Sequence, residues 1–125
     1  MSHTTKLLEG KPYRPGCYAP SSELAGAIAQ VQGSVADAVK SIKNKLVLTD
    51  YCGNPTGEVI YNYQPKSFLV VGCLNEFVGE HGINEDKLRS FELLRKNTIS
   101  PEIITFDELY ERAKFIVAYN GGADV

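Results

Sequence analysis

An apolar repeat between Ser21 and Leu46 constrains the fold of this chain more than any other feature. Its apolar residues recur at steps of three and four, which places them on one stripe of an α-helix that must bury against a core. Ser21 and Ser22 supply an N-cap hydroxyl directly after Pro20. Glu23 lies in the first turn, where the helix dipole favours negative charge. The stripe consists of Leu24, Ile28, Val31, Val35, Val39, Ile42 and Leu46.

A second face of the same helix is made of small residues, at a cost of about 1 kcal/mol for each interior glycine. Small side chains kept at that cost suggest close approach by another backbone, a sheet or a ligand. Gln30 stands beside this face and points away from the apolar stripe, so its amide is a candidate site group; the alternative is a solvated glutamine on an outer face. The small residues are Ala25, Gly26, Ala29, Gly33 and Ala36.

Length and charge limit the classes of protein to consider. A chain of 125 residues builds one core, and its net charge of −2 gives no global attraction to nucleic acid or anionic lipid. We predict an extended lead-in over residues 1–20, a single α/β domain over 21–119 and a tail over 120–125.

The sequence also carries compartment signals. No apolar run approaches the roughly 20 residues that span a bilayer, and the first residues lack the apolar segment of a secretory signal. Cys17, Cys52 and Cys73 are odd in number and include no CxxC pair, which favours free thiols. We therefore expect a cytoplasmic protein with no membrane partner.

The rest of the chain alternates strands and helices. Strands are predicted at Glu58–Tyr63, at the continuous apolar run Ser67–Cys73, which suggests an interior strand covered on both faces, and at Glu102–Ile104. A helix capped by Asn84 is expected to end near Lys96 or Asn97. This order predicts an α/β fold with a small mixed sheet flanked by helices.

Local signals mark the connections and the last helix. Asp50–Gly57 is predicted as a turn region and Leu74–Gly82 as a loop, whereas residues 46–48 fit either a last helical turn or a short strand. Thr105 and Glu108 form a capping box that starts the last helix, and Asn120 marks its end. The predicted apolar face of that helix consists of Phe106, Leu109, Tyr110, Ala113, Ile116 and Val117.

Few residues suggest chemistry by themselves. The sequence contains no phosphate-binding glycine motif. A divalent metal held by Glu76, Glu80 and His81 is conceivable, as is an unrelated α/β enzyme that uses Cys73 or Glu80, but solvated loop residues and a packed cysteine explain the same pattern. We predict no metal site.

Basic residues on two segments are candidate contacts for DNA. Arg14 and Tyr13 lie in the lead-in, and Arg89 and Arg95 lie on the helix that follows Asn84. Cationic side chains can contact phosphates and tyrosine can stack on bases, although neighbouring acidic residues dilute the patch. The simpler explanation for the lead-in residues is packing onto the first helix.

An ordered set of short segments from about Thr4 to Val117 resembles the C-terminal part of the Shedu anti-phage nuclease family. The similar segments are Lys11–Arg14, Tyr18, Pro20–Ser21, Glu23–Leu24, Ala27–Val31, Phe68–Gly72, Ser90–Arg95, Glu102–Leu109 and Arg112–Lys114. The resemblance implies a restriction-endonuclease-like core of the PD-(D/E)XK type. In such a core an acidic residue and Glu-x-Lys on neighbouring strands bind a divalent metal. Gln30 matches a glutamine that assists catalysis in that family, and Ser34 stands where the family commonly has tyrosine.

One departure from the family pattern decides what activity to expect. The acidic strand and Glu-x-Lys would precede the segment that begins at Thr4, where this sequence has only Met1-Ser2-His3. We therefore expect a partial core that does not cleave DNA alone and needs Mg²⁺ or Mn²⁺ only if a partner chain completes the site. The alternative is a non-catalytic DNA-binding or oligomerisation module. Because a partial core exposes strand edges, we also expect a homo-oligomer.

Overall fold

The computed structural model describes residues 2–45, 47–49, 51–59 and 65–123. Its elements are named here in chain order. They are α1 (Ser22–Lys45), β1 (Val47–Thr49), β2 (Pro55–Val59), β3 (Phe68–Val70), β4 (Val78–Gly79), β5 (Gly82–Ile83), α2 (Glu85–Lys96), β6 (Glu102–Ile104) and α3 (Phe106–Ala123), with a 3₁₀ turn at Leu74–Phe77 between β3 and β4. These elements confirm the α/β class.

The first helix begins where its cap predicts. The Ser21 hydroxyl accepts a hydrogen bond from the Leu24 amide at 3.0 Å and donates one to the Lys6 carbonyl at 2.5 Å. Leu24 and Ala27 are buried, and Ile28 and Val31 pack against the same core. Leu46, the last residue of the predicted stripe, lies outside the described residues. The helix therefore supplies one wall of the core through its first three turns.

The small-residue face of α1 is open. A Cβ atom built on Gly26 or Gly33 meets no heavy atom within 4 Å, and both glycines are exposed. The expected close approach by another backbone is therefore wrong for the part of the chain that the structure describes. The two glycines on this outer helix face lower helix stability without filling any contact here.

Strands β3 and β6 form the centre of the domain. They pair in parallel, with Leu69 opposite Ile103, and the Val71 amide extends the pairing to the Ile104 carbonyl at 3.0 Å. Leu69, Ile103 and Ile104 are buried, which confirms the two strand predictions. Phe68 is 51% exposed, so the expectation that this strand is covered on both faces is wrong.

The other strands pair locally. Among the described residues, β1 and β2 form an antiparallel hairpin and β4 and β5 a second, two-residue hairpin, so the strands pair two by two. The predicted turn at Asp50–Gly57 is too long, because Pro55 already begins β2. The predicted loop Leu74–Gly82 contains the 3₁₀ turn and β4. Residues 60–63 of the predicted strand lie outside the described residues.

The lead-in is part of the core. Leu7 is fully buried and Leu8 is 3% exposed, and both pack in the same cluster as Leu24 and Phe91. Their amides donate to the carboxylate of Glu76 at 2.7 and 3.2 Å. A carboxylate that accepts two backbone amides holds this irregular segment against the 3₁₀ turn.

The second and third helices begin as predicted but differ in how much they bury. Asn84 Oδ1 accepts from the Lys87 amide at 3.1 Å, and Phe91 of α2 is fully buried with its ring centroid 5.6 Å from that of Phe77. At α3, the Thr105 amide donates to Glu108 at 3.1 Å, which confirms the capping box.

The predicted apolar face of α3 is exposed. The exposed fraction is 41% for Leu109, 66% for Tyr110, 57% for Ile116 and 70% for Val117, because within the described residues only the start of this helix packs against the domain. The helix continues through Gly121 and Gly122 to Ala123, beyond the end predicted at Asn120. No described helix combines the length and the apolar character that crossing a membrane requires.

Candidate functional site

Gln30 lies on the solvent side of α1. It is exposed, as are Ala29 and Gly33 beside it. Gln32, two residues later, is the glutamine that reaches across the domain, because its Nε2 donates to the Ser100 carbonyl at 2.9 Å. Sequence reasoning selected Gln30 and missed the contact of Gln32, which joins residues 68 positions apart and leaves no local signal.

Tyr13 and Arg14 project from a tight turn in the lead-in. The Cys17 amide donates to the Arg14 carbonyl at 2.9 Å, and the Arg14 guanidinium carbon is 5.8 Å from the centre of the Tyr13 ring. Tyr13 is 76% exposed and Arg14 is exposed as well. An exposed aromatic ring beside an exposed guanidinium can contact a base and a phosphate at once.

The same turn is anchored to α2. The Tyr18 amide donates to Ser90 Oγ at 3.0 Å, and Lys87 Nζ is 5.3 Å from the centre of the Tyr18 ring. The structure thus brings the lead-in turn to the N-terminal half of α2, where Arg89 is exposed. The prediction that the lead-in residues pack onto α1 misses this contact, because Ser90, which accepts the hydrogen bond, lies on α2.

Arg95 differs from the other predicted DNA contacts, since it is held inside the domain. Its Nε and Nη2 donate to Glu92 at 3.1 and 2.5 Å, and its Nη1 and Nη2 donate to Glu108 at 2.6 and 2.9 Å. Nη1 also contacts the Ile103 carbonyl at 3.4 Å, and the guanidinium lies 4.9 Å from the Phe91 ring centre. A phosphate contact by Arg95 would require this arrangement, called here the Arg95 clamp, to open.

The clamp shifts the protonation equilibria of its members. Burial raises the pKa of Glu108, but hydrogen bonds from the Arg95 guanidinium and from Thr105 outweigh it and lower that pKa to about 2. The hydrogen bond to Glu108 raises the pKa of Arg95, against the opposing effect of burial. Asp107 behaves like Glu108: burial raises its pKa, and hydrogen bonds from the Thr105 hydroxyl and the Leu74 amide lower it overall.

The remaining residues that the sequence offers as metal ligands or catalytic groups do not lie together in one site. Glu76 is bound to the amides of the lead-in, whereas Glu80 and His81 are exposed in the β4–β5 hairpin. Cys73 is half-buried at the end of the segment that follows β3. Among residues 2–45, 47–49, 51–59 and 65–123, no three His, Cys, Asp or Glu side chains form a group that could hold a metal ion.

A polar cleft that sequence reasoning did not find lies beside the Arg95 clamp. Its volume is about 630 Å³, and its walls come from the segment before β3, the end of α2, residues 98–100, β6 and α3. Lys66, Lys96 and Arg112 line it together although they are 16 to 46 positions apart in the sequence. The pairing of β3 with β6 and the contact between α2 and α3 bring them to one place.

Comparison with known proteins identifies the family. A family model described as "Shedu protein SduA, C-terminal" matches residues 1–110. The chain belongs to this family. It is also 28% identical over 116 residues to the Shedu protein SduA of Bacillus cereus (strain B4264). That alignment covers 91% of this chain and 28% of the relative, so the chain spans less than a third of the relative's length.

The Shedu relationship that the sequence suggested is thereby confirmed. The match includes Gln30, the lead-in turn and the whole Arg95 clamp, because Glu108 is its last member along the chain. Arg112 and the exposed C-terminal half of α3 lie beyond residue 110. Features within the match are therefore candidates for a role shared with Shedu proteins.

Proposed function

We propose that this chain is part of the nuclease region of a Shedu anti-phage defence protein and that it does not cleave DNA alone. In this proposal the fold is a partial PD-(D/E)XK core. Gln30 on α1 orients water or substrate at a metal centre whose carboxylates come from a completing partner chain or segment. Tyr13, Arg14 and Arg89 contact the DNA from the exposed side of the domain.

The proposal rests on the contacts that four carboxylates make within the domain. Glu76 binds the backbone of the lead-in, Glu108 and Glu92 hold Arg95, and Asp107 accepts hydrogen bonds at the start of α3. Each of these four acids satisfies donors that hold the fold together. A hydrolytic metal centre needs carboxylates free to bind the ion, so these acids support a scaffold role better than a catalytic one.

The residues that the structure describes do not fit a Mg²⁺ or Mn²⁺ site. Gln30 is exposed on α1, while the carboxylates named above are engaged elsewhere in the domain. An amide oxygen alone is a weak ligand for a hard divalent cation, which prefers several carboxylate and water oxygens. The metal therefore belongs to the completed assembly, and no catalytic step is assigned to this chain alone.

We expect the purified 125-residue chain to leave DNA intact. Linear and nicked DNA incubated with the chain and Mg²⁺ or Mn²⁺ should show no cleavage above a buffer control on a gel, because in this proposal the carboxylates that activate water belong to the completing partner. Gln30→Ala and Gln32→Ala are matched variants on one helix. Robust metal-dependent cutting that is lost in Gln30→Ala and kept in Gln32→Ala would contradict the proposed inactivity and show a complete site.

A second candidate function is a non-catalytic DNA-binding or oligomerisation module. The exposed Tyr13–Arg14 turn favours DNA binding, and the exposed apolar face of α3 favours self-association into a homo-oligomer. DNA binding and self-association differ in their dependence on salt, since contacts with phosphates release counterions and apolar association does not.

Salt dependence separates these two roles. DNA binding through Arg14 and Arg89 should weaken as salt rises, and the logarithmic slope should fall by about 0.9 for each of Arg14→Gln and Arg89→Gln. Self-association through α3 should persist at high salt and should decrease in Val117→Glu when measured by light scattering. A monomer at high micromolar concentration would contradict the oligomer, and salt-independent DNA retention would contradict phosphate contact.

A further inference from the structure

We infer that the polar cleft beside the Arg95 clamp is a second phosphate-binding site, which takes the backbone of a DNA strand. The inference rests on the DNA-binding part of the proposed function and assigns it a place that the sequence did not suggest. Its residues come from three parts of the chain: Lys66 before β3, Lys96 at the end of α2 and Arg112 on α3.

The inner wall of the cleft is partly neutralised. The Nε, Nη1 and Nη2 groups of Arg95 are all used by Glu92, Glu108 and the Ile103 carbonyl, so Arg95 has no donor left for a ligand. In return, the guanidinium offsets one of the two negative charges of Glu92 and Glu108. Without the clamp these acids would repel a phosphate.

The outer wall of the cleft carries the positive charge. Lys96 and Arg112 are exposed, and Lys66 approaches Glu102 only to 3.9 Å with 75% of its side chain in solvent. An exposed ion pair of that length is weak, so Lys66 can turn to a stronger anion. Four cationic and three acidic side chains line the cleft, which gives it a formal charge of +1 on a chain of charge −2. The cleft is thus a local exception to the acidic surface.

The other groups at the cleft fit a nucleotide strand. Residues 98–100 line the cleft, and Ile99 among them is 99% exposed. A phosphodiester carries one negative charge, which suits a site of charge +1, and an exposed aliphatic side chain can pack against a sugar or base. A volume of about 630 Å³ holds one or two nucleotides of a strand.

The test measures binding of the full 125-residue chain to a labelled 20-base-pair duplex by fluorescence anisotropy across a salt series. Arg112→Gln and Lys96→Gln should each weaken binding about fivefold at 100 mM salt and lower the logarithmic salt slope by about 0.9. Lys114→Gln is the matched control, since it removes one charge from α3 on a side that does not line the cleft. It should change affinity less than twofold.

The possible results distinguish a DNA strand from a free nucleotide as the ligand of the cleft. They also distinguish failure of the cleft site from failure of DNA binding as a whole. Equal losses in Lys114→Gln and Arg112→Gln, or affinities in Arg112→Gln and Lys96→Gln equal to wild type, would overturn the site while leaving DNA binding through Arg14 and Arg89 intact. Absence of salt-dependent binding by the wild-type chain would overturn both. Saturable binding of adenosine monophosphate that Arg112→Gln abolishes, with duplex binding unchanged, would reassign the cleft to a free nucleotide. Circular dichroism of each variant verifies that the fold is retained.

Discussion

Replacing Gly72 with alanine is expected to destabilise the domain by about 3 kcal/mol, because it adds both an unfavourable backbone conformation and a steric clash. Gly72 has a φ of +61°, and a Cβ atom there would lie 2.7 Å from Leu7 Cδ2 and 2.8 Å from the Thr5 carbonyl oxygen. The left-handed conformation costs alanine about 1 kcal/mol, and the clash with backbone adds the rest. Urea unfolding measures the total.

Gly16→Ala is the matched control for this prediction. Gly16 has a φ of +79°, and a Cβ there would have its nearest neighbour, Asp86 Oδ1, at 4.0 Å, so the variant tests the backbone conformation without the clash. We expect it to cost about 1 kcal/mol. Equal losses in the two variants would show that the lead-in moves aside at little cost and that Gly72 is not a fixed junction.

Gly72 matters because three segments meet there. Its amide donates to the Ser2 carbonyl at 3.1 Å, and its carbonyl accepts from the Phe106 amide at 2.9 Å, directly after the paired ends of β3 and β6. Displacing Leu7 should also release the amides that Glu76 binds. Hydrogen exchange at Leu7 and Leu8 is therefore expected to accelerate more in Gly72→Ala than in Gly16→Ala.

The features that sequence reasoning predicted correctly are those encoded within one turn of helix or one strand. The cap at Ser21, the cap at Asn84 and the capping box at Thr105 each join residues three positions apart. A residue type at a fixed short spacing is sufficient to specify such a contact.

The features that it missed join distant residues. The bond from the Leu7 amide to Glu76 crosses 69 positions, so the lead-in looks irregular in sequence although Leu7 is fully buried. Sequence alone suggests Arg95 as a contact for DNA, because its pairing with Glu108, 13 positions away, depends on how α2 and α3 pack around β6. The candidate cleft depends on that same packing. By contrast, α3 has the period of a buried helix, yet its stripe is exposed because periodicity does not specify what covers a face.

The Arg95 clamp is expected to make the stability of the domain depend on pH. The pKa of Glu108 is about 2 in the folded domain, because hydrogen bonds from Arg95 and Thr105 outweigh the effect of burial, and its ordinary value is 4.5. A carboxylate with a lowered folded-state pKa stabilises the fold fully above the ordinary value and loses that contribution as pH falls towards the folded value. The urea midpoint should therefore fall as pH decreases from about 4.5 to about 2. The lowered pKa of Asp107 adds to the fall in the same direction.

Glu108→Gln should flatten this pH dependence and should lower stability at pH 7 by about 2 kcal/mol, since Arg95 is left with one carboxylate partner in a half-buried position. Glu111→Gln is the control, because Glu111 is exposed on the same helix, and its stability should change by less than about 0.5 kcal/mol. If Glu108→Gln retains the full wild-type loss of stability between pH 4.5 and 2, the clamp does not carry the acid sensitivity.

The clamp also sets the electrostatic potential of the cleft, since a neutral residue at 108 removes one negative charge from its inner wall. Glu108→Gln should consequently bind the DNA duplex at least as tightly as wild type while being less stable, a combination that a purely structural ion pair distant from the ligand would not produce.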